Sequence, residues 1–175
     1  MAGFLYGLPL AGAFYDLVDW PFEHFRYRRL PPRLWTGLTG RILDLGAGTG
    51  RNAACYPEAA AVSAVDLSPA MLTTALRRIA LCGKTAECSV MDARKLDIPS
   101  ASFDACVSTF LFCVLPDESQ RAALAEVRRV LKPGGRLRLL EYVYSQNPAR
   151  RLGMRFLAPL VERVFGARFD RRTKE

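Results

Sequence analysis

A single histidine, His24, is all the sequence holds, and its five cysteines (Cys55, Cys82, Cys88, Cys106 and Cys113) form no C-x-x-C pair. Such a poor stock of soft ligands argues against a zinc site, and an odd set of thiols inside apolar runs argues against a disulfide framework. The thiols read instead as reduced core side chains of a cytosolic protein. No stretch reaches the ~20 apolar residues of a membrane span. Met1–Tyr15 carries no side-chain charge and includes Ala11-Gly12-Ala13, yet it lacks a basic leader and is broken by Gly7 and Pro9, so a secretory signal is not expected. Acids are in deficit, with 17 Asp+Glu against 25 Lys+Arg and a net charge of +8. There is no internal repeat and no low-complexity tract.

What is present is enough for one α/β domain. A chain of 175 residues, half of them apolar, can bury roughly 70% of its unfolded surface. From Arg41 onward, short apolar runs alternate with helix-period segments, the pattern of a parallel sheet covered by helices. Strands are expected near residues 41–45, 62–66, 85–89, 103–109 and 135–142. Ser68-Pro69 supplies an N-cap and a first-turn proline, and Gly83 a helix stop. Asp117 with Gln120 resembles a capping box. The helix that follows should end at Lys132-Pro133-Gly134-Gly135, read as a turn.

The first 40 residues differ in kind, holding 9 of the 18 aromatics, and they read as an N-terminal helical cap. Phe14, Val18, Phe22 and Phe25 share one helical face, opposite Asp16, Asp19, Glu23 and Arg26. The aromatic face either covers the sheet or serves as a lid or membrane contact. Residues 41–142 form the core, and residues 143–175 a basic helical segment.

Chemistry concentrates at Ile42-Leu43-Asp44-Leu45-Gly46-Ala47-Gly48-Thr49-Gly50, where a buried strand runs into a glycine turn. Gly46 and Gly48 permit positive φ and close approach of a ligand at the carboxyl end of a first strand. Asp66, closing the second strand, can accept both hydroxyls of a ribose. The spacing is G-x-G-x-G, not the dinucleotide G-x-G-x-x-G, so the expected ligand has a ribose and no diphosphate.

At these residues the chain resembles the class I S-adenosylmethionine (SAM)-dependent methyltransferases, over nearly all of residues 41–142. Ile42–Gly50 resembles the family's first motif, Val65–Met71 its ribose and adenine segment, and Met91-Asp92-Ala93 its adenine-contacting turn. Ser102-Phe103-Asp104 and Val130–Gly135 match the lead-ins to the fourth and fifth strands. The resemblance implies a Rossmann-like doubly wound sheet in the order 3-2-1-4-5. It also implies SAM as cofactor and S-adenosylhomocysteine as product. Asp44, Gly46 and Gly48 would border the methionine end, Asp66 the ribose, Leu67 and Met71 the adenine faces, and Asp92 and Ala93 the adenine edge. No metal is implied. Residues 150–168 read as helix, and no alternating run stands for the family's last antiparallel strand pair, which would leave the fifth strand an edge.

Within the class, Tyr15-Asp16-Leu17 in the cap and the stretch from Arg150-Arg151 to Arg171-Arg172 resemble the ubiquinone/menaquinone-type enzymes and the bacterial phosphatidylethanolamine N-methyltransferases. The resemblance implies a lipid-like acceptor, a quinone carbon, a lipid amine or a small thiol; the basic charge of the C-terminal end puts phosphatidylethanolamine nitrogen first. A non-catalytic SAM-binding module is the alternative of another class. The run Ser108–Pro116 is apolar and lacks the Asx-Pro-Pro-aromatic motif of amide and base-amine methyltransferases, which argues against nucleic acid as a specific partner. Residues 148–175 hold eight basic side chains against three acidic ones. Such an end can bind an anionic leaflet, giving a cytoplasmic protein on the membrane surface. For the acceptor site the candidates are Tyr15 and Tyr142, with Glu141 and His24 behind them. The oligomeric state is not legible.

Overall fold

The computed structural model describes residues 31–141. The cap helix around Phe14–Phe25, the basic segment 143–175, Tyr15, Tyr142 and His24 lie outside the described residues.

Within them, five strands form one parallel sheet in the order β3-β2-β1-β4-β5. In chain order the elements are α1 (Pro31–Trp35), β1 (Gly40–Leu45), a short 3-10 turn (Ala53–Cys55), β2 (Ala60–Asp66), α2 (Pro69–Leu81), β3 (Glu87–Val90), β4 (Phe103–Thr109), α3 (Asp117–Val130) and β5 (Leu131–Leu140). Ile42 to Leu45 are all buried, as a central parallel strand covered on both faces requires. Strand alternation then divides the core. Ile42, Val62, Ala105 and Val107 pack on one face with Trp35, Tyr56, Ala75 and Ile79. Leu43, Leu45, Val65 and Cys106 pack on the other with Leu96, Val127 and Val130. None of the five cysteines is in a disulfide.

The ends of α2 form as the sequence foretells. Ser68 caps it by accepting the Met71 N–H, Pro69 opens it, and Gly83 leaves it at φ +65°, with the Lys84 N–H returning to the Ile79 carbonyl. Two local readings are corrected. The capping box at Asp117 does not form: the N-cap falls on Pro116, which has no side-chain acceptor, and the Gln120 amide turns instead to the carbonyls of Phe112 and Leu115. Nor does Lys132–Gly135 separate α3 from the strand. β5 begins at Leu131, opposite Phe103, and resumes pairing at Arg136, opposite Ala105. The Pro-Gly-Gly run is thus an irregularity inside the strand, since proline lacks the N–H that a regular ladder needs. Among the described residues β5 pairs only with β4, and Leu137 and Leu139 are half-exposed. No helix among them is long and apolar enough to cross a membrane.

Candidate cofactor site at the carboxyl rim of the sheet

Parallel register brings Leu45 beside Val65 and Asp66 beside Val90, so the turns that follow β1, β2 and β3 open on one rim. The first of these folds back onto β2: the Gly46 and Ala47 N–H groups both donate to the Val65 carbonyl, at 2.9 and 3.0 Å. Its glycines do three different things. Gly50 (φ +77°) lies so close to α2 that a Cβ would stand 2.8 Å from Ala75 Cα. Gly46 (φ +73°) faces Leu111, 3.0 Å from where its Cβ would be. Gly48 (φ +56°) has nothing within 4 Å and faces open space. Arg78 on α2 fastens the same turn by donating to Thr49 at its carbonyl (3.1 Å) and Oγ1 (2.9 Å).

Asp66 bridges two turns. Its Oδ2 accepts the Gly48 N–H and its Oδ1 the Ser68 N–H, both at 2.9 Å. Burial pushes its pKa up while these N–H groups pull it down. Each oxygen keeps a further lone pair, which fits the residue for a ribose diol. Beside it Leu67 stands 65% exposed, an apolar face on the rim next to that diol site. The Met91 N–H donates to the Asp66 carbonyl at 3.0 Å, drawing Asp92 and the half-buried Ala93 to the same place. The Asp92 carboxylate is gripped by Arg94 through its backbone N–H, Nε and Nη2, which holds its pKa low. Met71, expected at an adenine face, is 4% exposed and belongs to the packed first turn of α2.

Asp44, expected at the methionine end, is held from beneath the glycine turn. Alternation along β1 turns it to the side of Ile42, where it is completely buried. Its Oδ1 accepts Asn52 Nδ2 at 3.0 Å and its Oδ2 the Tyr56 hydroxyl at 2.6 Å. Burial drives its pKa up to about 6 against the pull of those two bonds, and burial with the neighbouring carboxylate drives that of Tyr56 up. Asn52 also donates to Thr109 Oγ1 at 3.2 Å, and the Tyr56 ring packs on Trp35 with centroids 4.7 Å apart. Asp44 thus underpins the glycine turn through Asn52 and Tyr56. The sequence reading missed Asn52, Tyr56 and Arg78. Only the 3-10 turn at Ala53–Cys55, which swings Tyr56 back beneath β1, would have joined Tyr56 to Asp44.

The parallel sheet, the glycine turn with one open face and the rim carboxylate with free lone pairs define a Rossmann-like domain fitted to a nucleoside. Comparison with known proteins makes this particular: the methyltransferase domain family matches residues 42–135, and the chain belongs to that family, with the class I SAM-dependent fold and SAM as its cofactor. Over 105 residues it is 34% identical to a phosphatidylethanolamine N-methyltransferase of Cereibacter sphaeroides, covering 59% of this chain and 51% of the relative. Over 116 residues it is 34% identical to the ubiquinone/menaquinone biosynthesis C-methyltransferase UbiE of Burkholderia mallei, covering 64% and 47%. The chain thus spans about half the length of the curated relatives it matches. Among solved structures, a DhpI–SAH complex superposes with a TM-score of 0.67 at 25% identity, over 79% of this chain and 67% of that one.

Proposed function

We propose that this chain methylates a lipid-like acceptor at a membrane surface, with the amine of phosphatidylethanolamine as the first substrate. The observation that carries the reading is the wall beside the glycine turn. After β4 comes an apolar segment in which Phe112 and Cys113 are buried, Val114 and Leu115 half-buried, and Leu111 stands against Gly46. A wall of this kind favours a hydrophobic acceptor, and the similarity to a phosphatidylethanolamine N-methyltransferase supports the amine as the first reading. Similarity to UbiE supports the second reading, a quinone ring carbon.

When bound, SAM supplies a sulfonium methyl for in-line displacement. The chain's own residues have to orient and to exclude water, and alignment alone can be worth ~7–11 kcal/mol in favourable cases. Asp66 would hold the ribose, Asp92 and Leu67 the adenine edge and face, and the open face of Gly48 would admit the donor close to the backbone. Tyr15 and Tyr142 would border the acceptor, their rings attracting a methylated ammonium by roughly 0.5–2 kcal/mol. Tyr15→Phe and Tyr142→Phe should leave SAM affinity intact, and one of them should slow lipid turnover about tenfold; two variants that turn over like the parent would remove the hydroxyls from the reaction.

The decisive experiment incubates the protein with methyl-labelled SAM and vesicles containing phosphatidylethanolamine and demethylated quinone. Label in the phospholipid fraction supports the proposal. Label in the quinone selects the second reading, and SAM binding without label in either points to a non-catalytic module.

A further inference from the structure

The turn after β4 is held in an unusual way. Phe110 has φ +58°, a left-handed conformation that a bulky side chain rarely adopts, and bonds from two other elements keep the chain there. The Phe110 N–H donates to the Leu140 carbonyl at 2.8 Å, carrying the β4–β5 pairing past the end of β4. The N–H groups of Phe112 and Cys113 donate to the two oxygens of Glu141, one each, both at 3.0 Å. From α3, Gln120 Nε2 donates to the Phe112 carbonyl at 2.9 Å. On its other side the turn meets the cofactor rim, where Leu111 occupies the space a side chain at Gly46 would need.

We propose that Glu141 is a positioning residue of the methyl-transfer site: its carboxylate sets the Phe110–Val114 turn and, through it, the wall that Leu111 builds beside Gly46. This rests on the methyltransferase reading and adds a residue that acts on the site through another segment. Glu141 acts on the turn directly, each of its oxygens accepting one backbone N–H. A carboxylate suits the task for a simple reason: it offers an acceptor to each of two adjacent N–H groups. A glutamine of the same length offers one acceptor and sets an NH2 group against the second donor.

The test compares the parent with Glu141→Gln, Glu141→Ala and Leu111→Ala, using S-adenosylhomocysteine as the probe in calorimetry and reading amide exchange residue by residue. In both Glu141 variants the Phe112 and Cys113 amides should exchange about tenfold faster while those of β1 keep the parent's rate. S-adenosylhomocysteine should bind about fivefold more weakly to all three variants, about the worth of one net hydrogen bond. A purely structural role would lower the melting midpoint and leave the affinity of the folded molecules unchanged. Unaltered amide exchange in Glu141→Gln, or parental affinity in a Glu141 variant whose turn has loosened, would overturn the inference. Should both Glu141 variants fail to fold, parental affinity in Leu111→Ala would overturn it and weakened affinity would support it. A parent that does not bind S-adenosylhomocysteine at all would instead overturn the methyltransferase reading, and this inference with it.

Discussion

Two aspartates near the ends of neighbouring strands do different work, because one accepts backbone N–H groups on the rim and the other is completely buried against side-chain donors. Asp66 accepts only backbone N–H groups on the rim, so Asp66→Ala should cost SAM ~1.5–3 kcal/mol of affinity, a charged acceptor for its ribose hydroxyls being lost. Calorimetry on the folded variant checks this, and unchanged affinity would refute the ribose assignment. Asp44, with a pKa raised from 3.8 to about 6, binds more protons in the folded than in the unfolded chain across that interval. Its contribution to stability is therefore complete below pH 3.8 and lost as pH rises through about 6, roughly 3 kcal/mol in all. Burial raises Asp66 and Glu141 in the same direction. Tyr56→Phe removes a donor that holds the Asp44 pKa down. It should destabilise the protein by about 1–3 kcal/mol at neutral pH and move the end of the stability loss to higher pH. Urea unfolding of parent and variant across this range would show it, and coincident pH profiles would count against the pair.

At the scale of elements, the glycine turn separates fold from site within three residues. Gly50→Ala drives a methyl into the α2 backbone at 2.8 Å from Ala75 Cα. The contact should cost about 1–3 kcal/mol, beyond the ~1–2 kcal/mol of a left-handed alanine. Gly48→Ala carries only the second cost, since nothing lies within 4 Å, yet its methyl enters the space proposed for the donor. Melting should fall more in Gly50→Ala, and SAM affinity should fall at a smaller stability cost in Gly48→Ala; the reverse pattern would mean that the open face of Gly48 is not the ligand face. These elements were legible because their signals are local. Buried parallel strands are unbroken apolar runs, and Ser68, Pro69 and Gly83 punctuate α2 by chemistry within a few residues. The misread parts depend on distant partners. Pro133-Gly134-Gly135 looks like a turn until β4 pairs on both sides of it, and the bond from Tyr56 to Asp44 joins residues that no local signal connects. Glu141 stands in the sequence only as a candidate behind the two tyrosines, and the turn after β4 shows what its carboxylate holds.

For the molecule as a whole, the charge excess and the aromatic excess lie toward the two ends of the chain, and of the early aromatics only Trp35 falls among the described residues, in the core. Residues 148–175 are locally +5, and the first 40 residues carry half the aromatics. A methyltransferase acting on phospholipid has to meet its substrate at the bilayer surface, and no helix among the described residues is long and apolar enough to cross a membrane. The two ends offer complementary means of reaching it. Each arginine or lysine near an anionic leaflet can contribute about 1 kcal/mol within a Debye length, while aromatic side chains partition into the headgroup region whatever the charge. The protein should therefore float with vesicles containing phosphatidylglycerol and less with neutral ones, and binding should weaken as salt screens the Coulombic part. Removal of residues 1–29 should leave a weaker association, now almost wholly salt-sensitive, because the basic end then acts alone. Flotation that ignores both salt and this deletion would show that neither end reaches the bilayer, and the lipid acceptor would then have to be delivered to the site as a soluble molecule.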